Sequence, residues 1–129
     1  MRYLAAIDTV HTAAAACDYL TGRLDDGDDV VAITVRPPDA QGGDVERDGR
    51  EALNVLGVRL PAVDLECETP RGEPAETILD VAATRGVDEI VIGARGGAPG
   101  AATGGLGSTA RNVLADATVP VVVLPVVVE

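Results

Sequence analysis

Apolar and polar positions change period in blocks along this chain. Tyr3–Asp8 (YLAAID) is a short apolar run closed by a carboxylate, which predicts a strand buried on both faces. From Thr12 to Leu24 the apolar residues return at helical spacing. Ala13, Ala16, Cys17, Leu20 and Leu24 share one stripe, and Thr9 or Thr12 can cap it. Asp25–Asp29 reads as a turn, and Val30–Val35 as a second strand stopped by Pro37 and Pro38. The polar, Gly-containing stretch Asp39–Asp44 predicts a loop. Glu46–Gly57 follows as a helix with Ala52, Leu53 and Leu56 inward. In Ala62–Thr69, Val63, Leu65 and Cys67 alternate with Asp64, Glu66 and Glu68, as in a half-exposed strand at a sheet edge. Glu73–Arg85 predicts a helix opened by Pro74 and closed by Gly86, with Ile78, Leu79, Ala82 and Ala83 inward. Val87–Gly93 is the next buried strand. Ser108–Ala117 is a helix with Val113, Leu114 and Ala117 inward, and Val119–Val128 is a last apolar run.

The resulting order is βαβαβαβαβ. Five short apolar strands with helices between them predict one α/β domain over residues 1–129. Its parallel sheet is covered on both faces, and its crossovers are right-handed. Ligands of such sheets bind at the carboxyl ends of the strands, where the strand order reverses.

Composition narrows the class. With two Tyr and no Phe or Trp, the core must be built from Val, Ile, Leu and Ala. The formal net charge is −11, with ten Arg and no Lys. A chain so acidic lacks the basic patch needed for nucleic acid or for an anionic membrane surface. An acidic, Lys-free surface resembles proteins of salt-accumulating halophiles, where salt screens the self-repulsion. The other reading is attraction of a cationic partner. No apolar run approaches the 18 or so residues of a membrane span. Too few residues separate Arg2 from Asp8 for a secretory core, so a cytoplasmic location is expected. Cys17 and Cys67 have neither zinc-site nor CxxC spacing, and each reads as a small packed residue. His11, the one histidine, has no partner at metal or triad spacing and reads as exposed near a helix start.

The chemistry concentrates in residues 93–109. A buried strand ends at Gly93, a Gly/Ala-rich segment follows, and a helix starts at Ser108. Free backbone amides at a helix N-terminus, with a partial positive charge, suit phosphate. Gly93 and Gly96 open the loop, and Gly107, Ser108 and Thr109 close it. The competing reading is a flexible surface loop of small residues. Arg95 and Arg111 flank it, either offsetting phosphate charge or simply solvated or paired locally. Asp8, at the end of the first strand, is either a cap or turn residue or an acceptor for a base amine or ribose hydroxyl. GxxxxGK[ST] is excluded by the missing Lys, and no GxGxxG follows the first strand.

These features together resemble the universal stress protein family over nearly the whole chain. The opening strand ends in Asp. Arg71-Gly72-Glu73-Pro74, Ile78-Leu79, Ala82-Ala83 and Val87-Asp88-Glu89-Ile90-Val91-Ile92-Gly93 resemble the family's G-x-P…I-L…A…D-x-I-V-x-G stretch. Val119-Pro120-Val121-Val122-Val123-Leu124 resembles its final strand. The nucleotide-binding branch carries G-x2-G-x9-G-[ST]. Gly93, Gly96 and Gly107-Ser108 match it, with ten residues rather than nine between Gly96 and Gly107. Closing a loop costs little per added residue, so binding remains the expectation.

The resemblance implies an open, Rossmann-like five-stranded parallel sheet of the adenine nucleotide alpha hydrolase-like type, in order 3-2-1-4-5. It implies ATP with Mg²⁺ held through the phosphates. Asp8 would contact adenine, Val35 would pack near the base, and Ile92 and Gly93 would border the ribose. Gly96, Gly107, Ser108 and Thr109 would hold the phosphates. It also implies a homodimer through the last strand, Val121–Val128, and a stress-response regulator with an unidentified protein partner. The alternatives are a non-binding dimeric scaffold of the same fold, a weak ATPase, or an AMP binder. The short connection after the second strand implies a reduced lid.

Overall fold

The computed structural model describes residues 1–38, 43–60, 63–94 and 106–125. Its elements run β1 (Arg2–Ala6), α1 (Val10–Thr21), β2 (Asp29–Ile33), α2 (Gly43–Arg59), β3 (Asp64–Glu68), α3 (Pro74–Arg85), β4 (Glu89–Gly93), α4 (Ser108–Asp116) and β5 (Val121–Leu124). All pairings are parallel, in the order β3-β2-β1-β4-β5. Ala6 lies opposite Ile33 on one side and Ile92 on the other, so β1 and β2 end level and β4 runs one residue further, to Gly93.

Strand alternation sends successive side chains to opposite faces. Tyr3, Ala5, Val30 and Ala32 meet Ala16, Leu20 and Leu56 from α1 and α2. Leu4, Val31, Ile33, Ile90 and Ile92 meet Ile78, Ala82, Ala110 and Val113 from α3 and α4. Helices therefore cover both faces, and β1, β2 and β4 are buried on both. β3 and β5 are the outer strands.

The element ends show where local chemistry shifted the boundaries. α1 starts at Val10 because Thr9 caps it, its hydroxyl oxygen accepting the Thr12 N–H at 3.4 Å. It stops at Thr21, before Leu24, because Gly22 is the cap. α2 starts at Gly43, inside the expected loop, and its first turn holds Asp44 and Glu46, which complement the helix dipole. Gly86 closes α3 in the left-handed region at φ 61°. On α3 the inward stripe is Ala75, Ile78 and Ala82, and Ala83 is exposed. On α4 it is Ala110 and Val113, which leaves Leu114 at 42 % exposure instead of inward. Cys17 is buried as expected. Cys67 is exposed instead of packed, because it lies on the outer strand where α2 leaves an open groove. Ala62 and the end of the last apolar run, 126–128, lie outside the described residues.

Gly49 of α2 is buried against Thr34, just past β2. A Cβ there would lie 2.9 Å from the Thr34 hydroxyl oxygen, so only glycine lets the helix approach this closely.

The amino ends of the strands are tied by charge. The Met1 amine donates to Asp28 at 2.7 Å. The Arg2 guanidinium pairs with Asp29 at 3.1 Å and donates to the Arg85 carbonyl at 2.6 Å. The Arg2 backbone N–H donates to Asp88 at 2.8 Å. Glu89, 5 % exposed, accepts from the Tyr19 hydroxyl at 3.0 Å and faces Arg23 at 3.5 Å. The hydrogen bond from the amine, then one from the Asp25 backbone, hold the Asp28 carboxyl below its usual range. The bond to Asp28 raises the amine in turn.

Candidate functional site

At the opposite end of the sheet, a crevice of about 480 Å³ opens beyond the carboxyl ends of β1 and β4. That size suits a small ligand. Its walls are mostly apolar, with Ile7 beyond β1, Val35 beyond β2, Ile92 from β4 and Ile78 from α3. Polar groups sit at its two sides. Asp8 follows β1, and its carboxylate accepts the Thr12 hydroxyl at 3.0 Å. Thr12 is itself 2 % exposed, so the carboxylate is held from a buried anchor. Asp8 does not cap α1, since Thr9 does.

The other polar side is the N-terminus of α4. Gly107 is its cap residue, in an extended conformation (φ −66°, ψ 165°) and with no side chain capping the helix. The Gly107 N–H donates to the Ala94 carbonyl at 2.8 Å, and the Ala94 N–H donates to the Leu124 carbonyl at 2.8 Å. The loop between β4 and α4 is thereby tied at its neck. The first intrahelical bond runs from Arg111 N–H to the Gly107 carbonyl at 3.1 Å. The first-turn amides of Ser108, Thr109 and Ala110 precede it, and all three residues line the crevice. Uncapped amides and two hydroxyls at a helix N-terminus are groups that can donate to anionic oxygen.

Of the eight residues expected at the site, seven line this crevice together: Asp8, Val35, Ile92, Gly93, Gly107, Ser108 and Thr109. Gly96 lies outside the described residues, as does Arg95. Arg111 donates to the Leu106 carbonyl at 3.3 Å and so braces the end of the loop. His11 is exposed, and among the described residues no group of three His, Cys, Asp or Glu could hold a metal ion.

Sequence reasoning missed Val45 and Asp48, which line the crevice from α2. They stand three apart on one helix face. Starting α2 at Glu46 left Val45 outside the helix and hid that pairing. Pro74 and Ile78 were legible only as a helix start and a core position, and they also face the crevice.

The profile of the universal stress protein family matches residues 1–125. The chain belongs to the universal stress protein family. Among curated proteins none matches its sequence. Solved structures of low identity share the fold. Hypothetical protein MJ0577 is 18 % identical at a TM-score of 0.81, covering 99 % of this chain and 97 % of its own. A universal stress protein in complex with cAMP is 19 % identical at a TM-score of 0.68, covering 95 % of each chain. The Archaeoglobus fulgidus universal stress protein in complex with dAMP is 20 % identical at 0.67, covering 96 % of this chain and 97 % of its own. The five-stranded parallel sheet with helices on both faces is thus the universal stress protein fold, in the order 3-2-1-4-5.

Proposed function

We propose that this universal stress protein binds an adenine nucleotide in the β1–β4 crevice, ATP first, with Mg²⁺ carried on the phosphates. One observation carries the reading: an anchored carboxylate, Asp8, and the uncapped first turn of α4 share a single apolar crevice at the switch point of the sheet. An acceptor on one side suits an amino-bearing base, and donors on the other suit phosphate. Gly96 is assigned to the phosphate group with Gly107, Ser108 and Thr109. The cAMP and dAMP complexes of structural neighbours support the same class of ligand.

The proposed role is a nucleotide-responsive regulator in the cytoplasm of a salt-accumulating cell. Its working form is a homodimer through the last strand, Val121–Val128, and it acts on a protein partner. The outer position of β5, with Val121, Val122 and Val123 half-buried, supports the dimer, because a bare apolar edge invites pairing. Hydrolysis is expected to be slow, since the chain has no Lys and Arg111 is engaged at Leu106.

Calorimetry with Mg-ATP in molar KCl tests the reading. Micromolar affinity that is lost in Gly107→Val and weakened in Asp8→Ala is the expected result. A folded dimer that gives no heat with ATP or AMP would replace it with the scaffold reading, which the ten-residue interval favours. AMP binding without ATP binding would change the ligand and leave the site. Turnover above background that is sensitive to Asp8→Asn would make the protein a weak ATPase.

A further inference from the structure

A second opening of about 820 Å³ lies between α2 and the β2–β3 edge. Two cations enter it, Arg36 from beyond β2 and Arg50 from α2. In a chain of net charge −11, two guanidinium groups in one groove stand against the general trend. Arg36 is presented from a fixed backbone. Its N–H donates to the Pro70 carbonyl at 2.8 Å, and its carbonyl accepts from Gly72 N–H at 2.9 Å. Strand alternation turns Thr34 and Arg36 to the α2 face, away from Val35, which lines the nucleotide crevice.

The Arg36 side chain is half-satisfied. Its Nη2 pairs with one oxygen of Glu46. Its Nε is fully buried and has no hydrogen-bond partner among the described residues. Nε–H and Nη2–H form one fork on the same edge of the guanidinium plane, the edge a carboxylate or phosphate fills with two oxygens. Glu46 fills one tine only. Buried donors are rarely left without an acceptor, and a charged one is costly to leave so. Arg50, one turn along α2 from Glu46, makes no ion pair among the described residues. The hydroxyl-bearing Thr34 and Thr69 line the same groove, and its outer wall is apolar, with Leu53 and Val58, the latter 77 % exposed.

We propose that this groove is a second ligand site, distinct from the nucleotide crevice, that binds a small oxyanion. Its phosphate or carboxylate head sits in the Arg36 fork and is shared with Arg50, and any apolar tail lies along Leu53 and Val58. Glu46 is the internal competitor that the ligand displaces. The site stands whether or not the crevice binds nucleotide.

The test is NMR of ¹⁵N-labelled protein, titrated with inorganic phosphate in one arm and citrate in the other. The expected result is a saturable shift of the Arg36 Nε–H and of the amides of Arg36 and Arg50. Arg36→Gln weakens that affinity at least about tenfold, and Arg50→Gln weakens it less. Glu46→Gln tightens it, because the competitor loses its charge. This opposite sign survives even if Arg36→Gln melts early. Saturation by phosphate alone identifies a phosphate head, and by citrate alone a carboxylate head; either keeps the proposal. No saturation in either arm overturns it, as does unchanged affinity in a folded Arg36→Gln or weaker binding in Glu46→Gln. Phosphate at the α4 N-terminus shifts Ser108 and Thr109 instead, is untouched by Arg36→Gln, and by itself counts against the groove.

Discussion

The two ends of the sheet treat their polar groups in opposite ways. At the amino ends of the strands the charges satisfy one another: amine with Asp28, Arg2 with Asp29, and Tyr19 and Arg23 with Glu89. At the carboxyl ends, the first turn of α4 has no side-chain cap, and Asp8, anchored by the buried Thr12 hydroxyl, lines an apolar crevice. Topology causes the difference. Because every strand pairing is parallel, each connecting helix runs back antiparallel to its strands, so helix N-termini gather at the carboxyl end with donors to spare. Helix C-termini gather at the other end, where the Arg85 carbonyl takes a hydrogen bond from Arg2. One end ties its charges to one another, and the other leaves first-turn donors lining a crevice.

Changes at one end should then leave the property of the other untouched. The largest effect is expected from Gly107→Val. The backbone at 107 suits any residue, and Gly107 lines the crevice, so a bulkier residue there is expected to compete with a ligand for its space. Nucleotide affinity should fall about 100-fold, roughly 2.7 kcal/mol, with the melting temperature nearly unchanged, as calorimetry and thermal denaturation would show. Next is Glu89→Ala, which strands the Tyr19 hydroxyl and removes the partner of Arg23. It should cost about 2 kcal/mol in chemical denaturation while affinity holds. A parallel loss of affinity would break the division between the ends.

Asp8→Asn keeps the shape and removes the charge. Affinity should weaken about tenfold, near 1.4 kcal/mol, with little change in stability.

The smallest effect concerns pH. The Asp28 carboxyl is depressed, so its contribution is present above the unfolded carboxylate value of about 3.9 and fades as pH falls through the folded value. The Met1 amine is raised above its ordinary 8.0, so its contribution is complete below that pH and fades as pH rises through the folded value. Denaturation midpoints should be flat between these limits and dip slightly on the alkaline side. Asp28→Asn should remove that dip, and an unchanged alkaline limb would show that the amine does not steady this end.

The fold was legible because β1, β2 and β4 are buried on both faces, so YLAAID, VVAITV and VDEIVIG read as strands without ambiguity. The outer elements were less legible because burial there is partial. Leu114 looked inward by spacing, yet the α4 stripe that meets the sheet is centred on Ala110 and Val113. Cys67 alternated correctly with its neighbours, but α2 does not reach far enough to cover it. At the crevice, Asp8 and Gly107–Thr109 were readable because each stands at the end of a strongly patterned element. Asp48 and Val45 were not, because their place depends on Gly49 seating α2 against Thr34, a tertiary contact with no local signature. The Arg36 fork was invisible for the same reason: no spacing rule pairs residues 36, 46 and 50 across a proline break.

Ala94 is gripped on one side by Leu124 and on the other by Gly107, each at 2.8 Å. The knot turns the chain between these two residues into an interchangeable cassette. Its length can drift over evolution, or be rewritten by an engineer, while β5 and the opening turn of α4 keep their places. A foreign peptide spliced between Ala94 and Gly107 would meet the same two fixed posts.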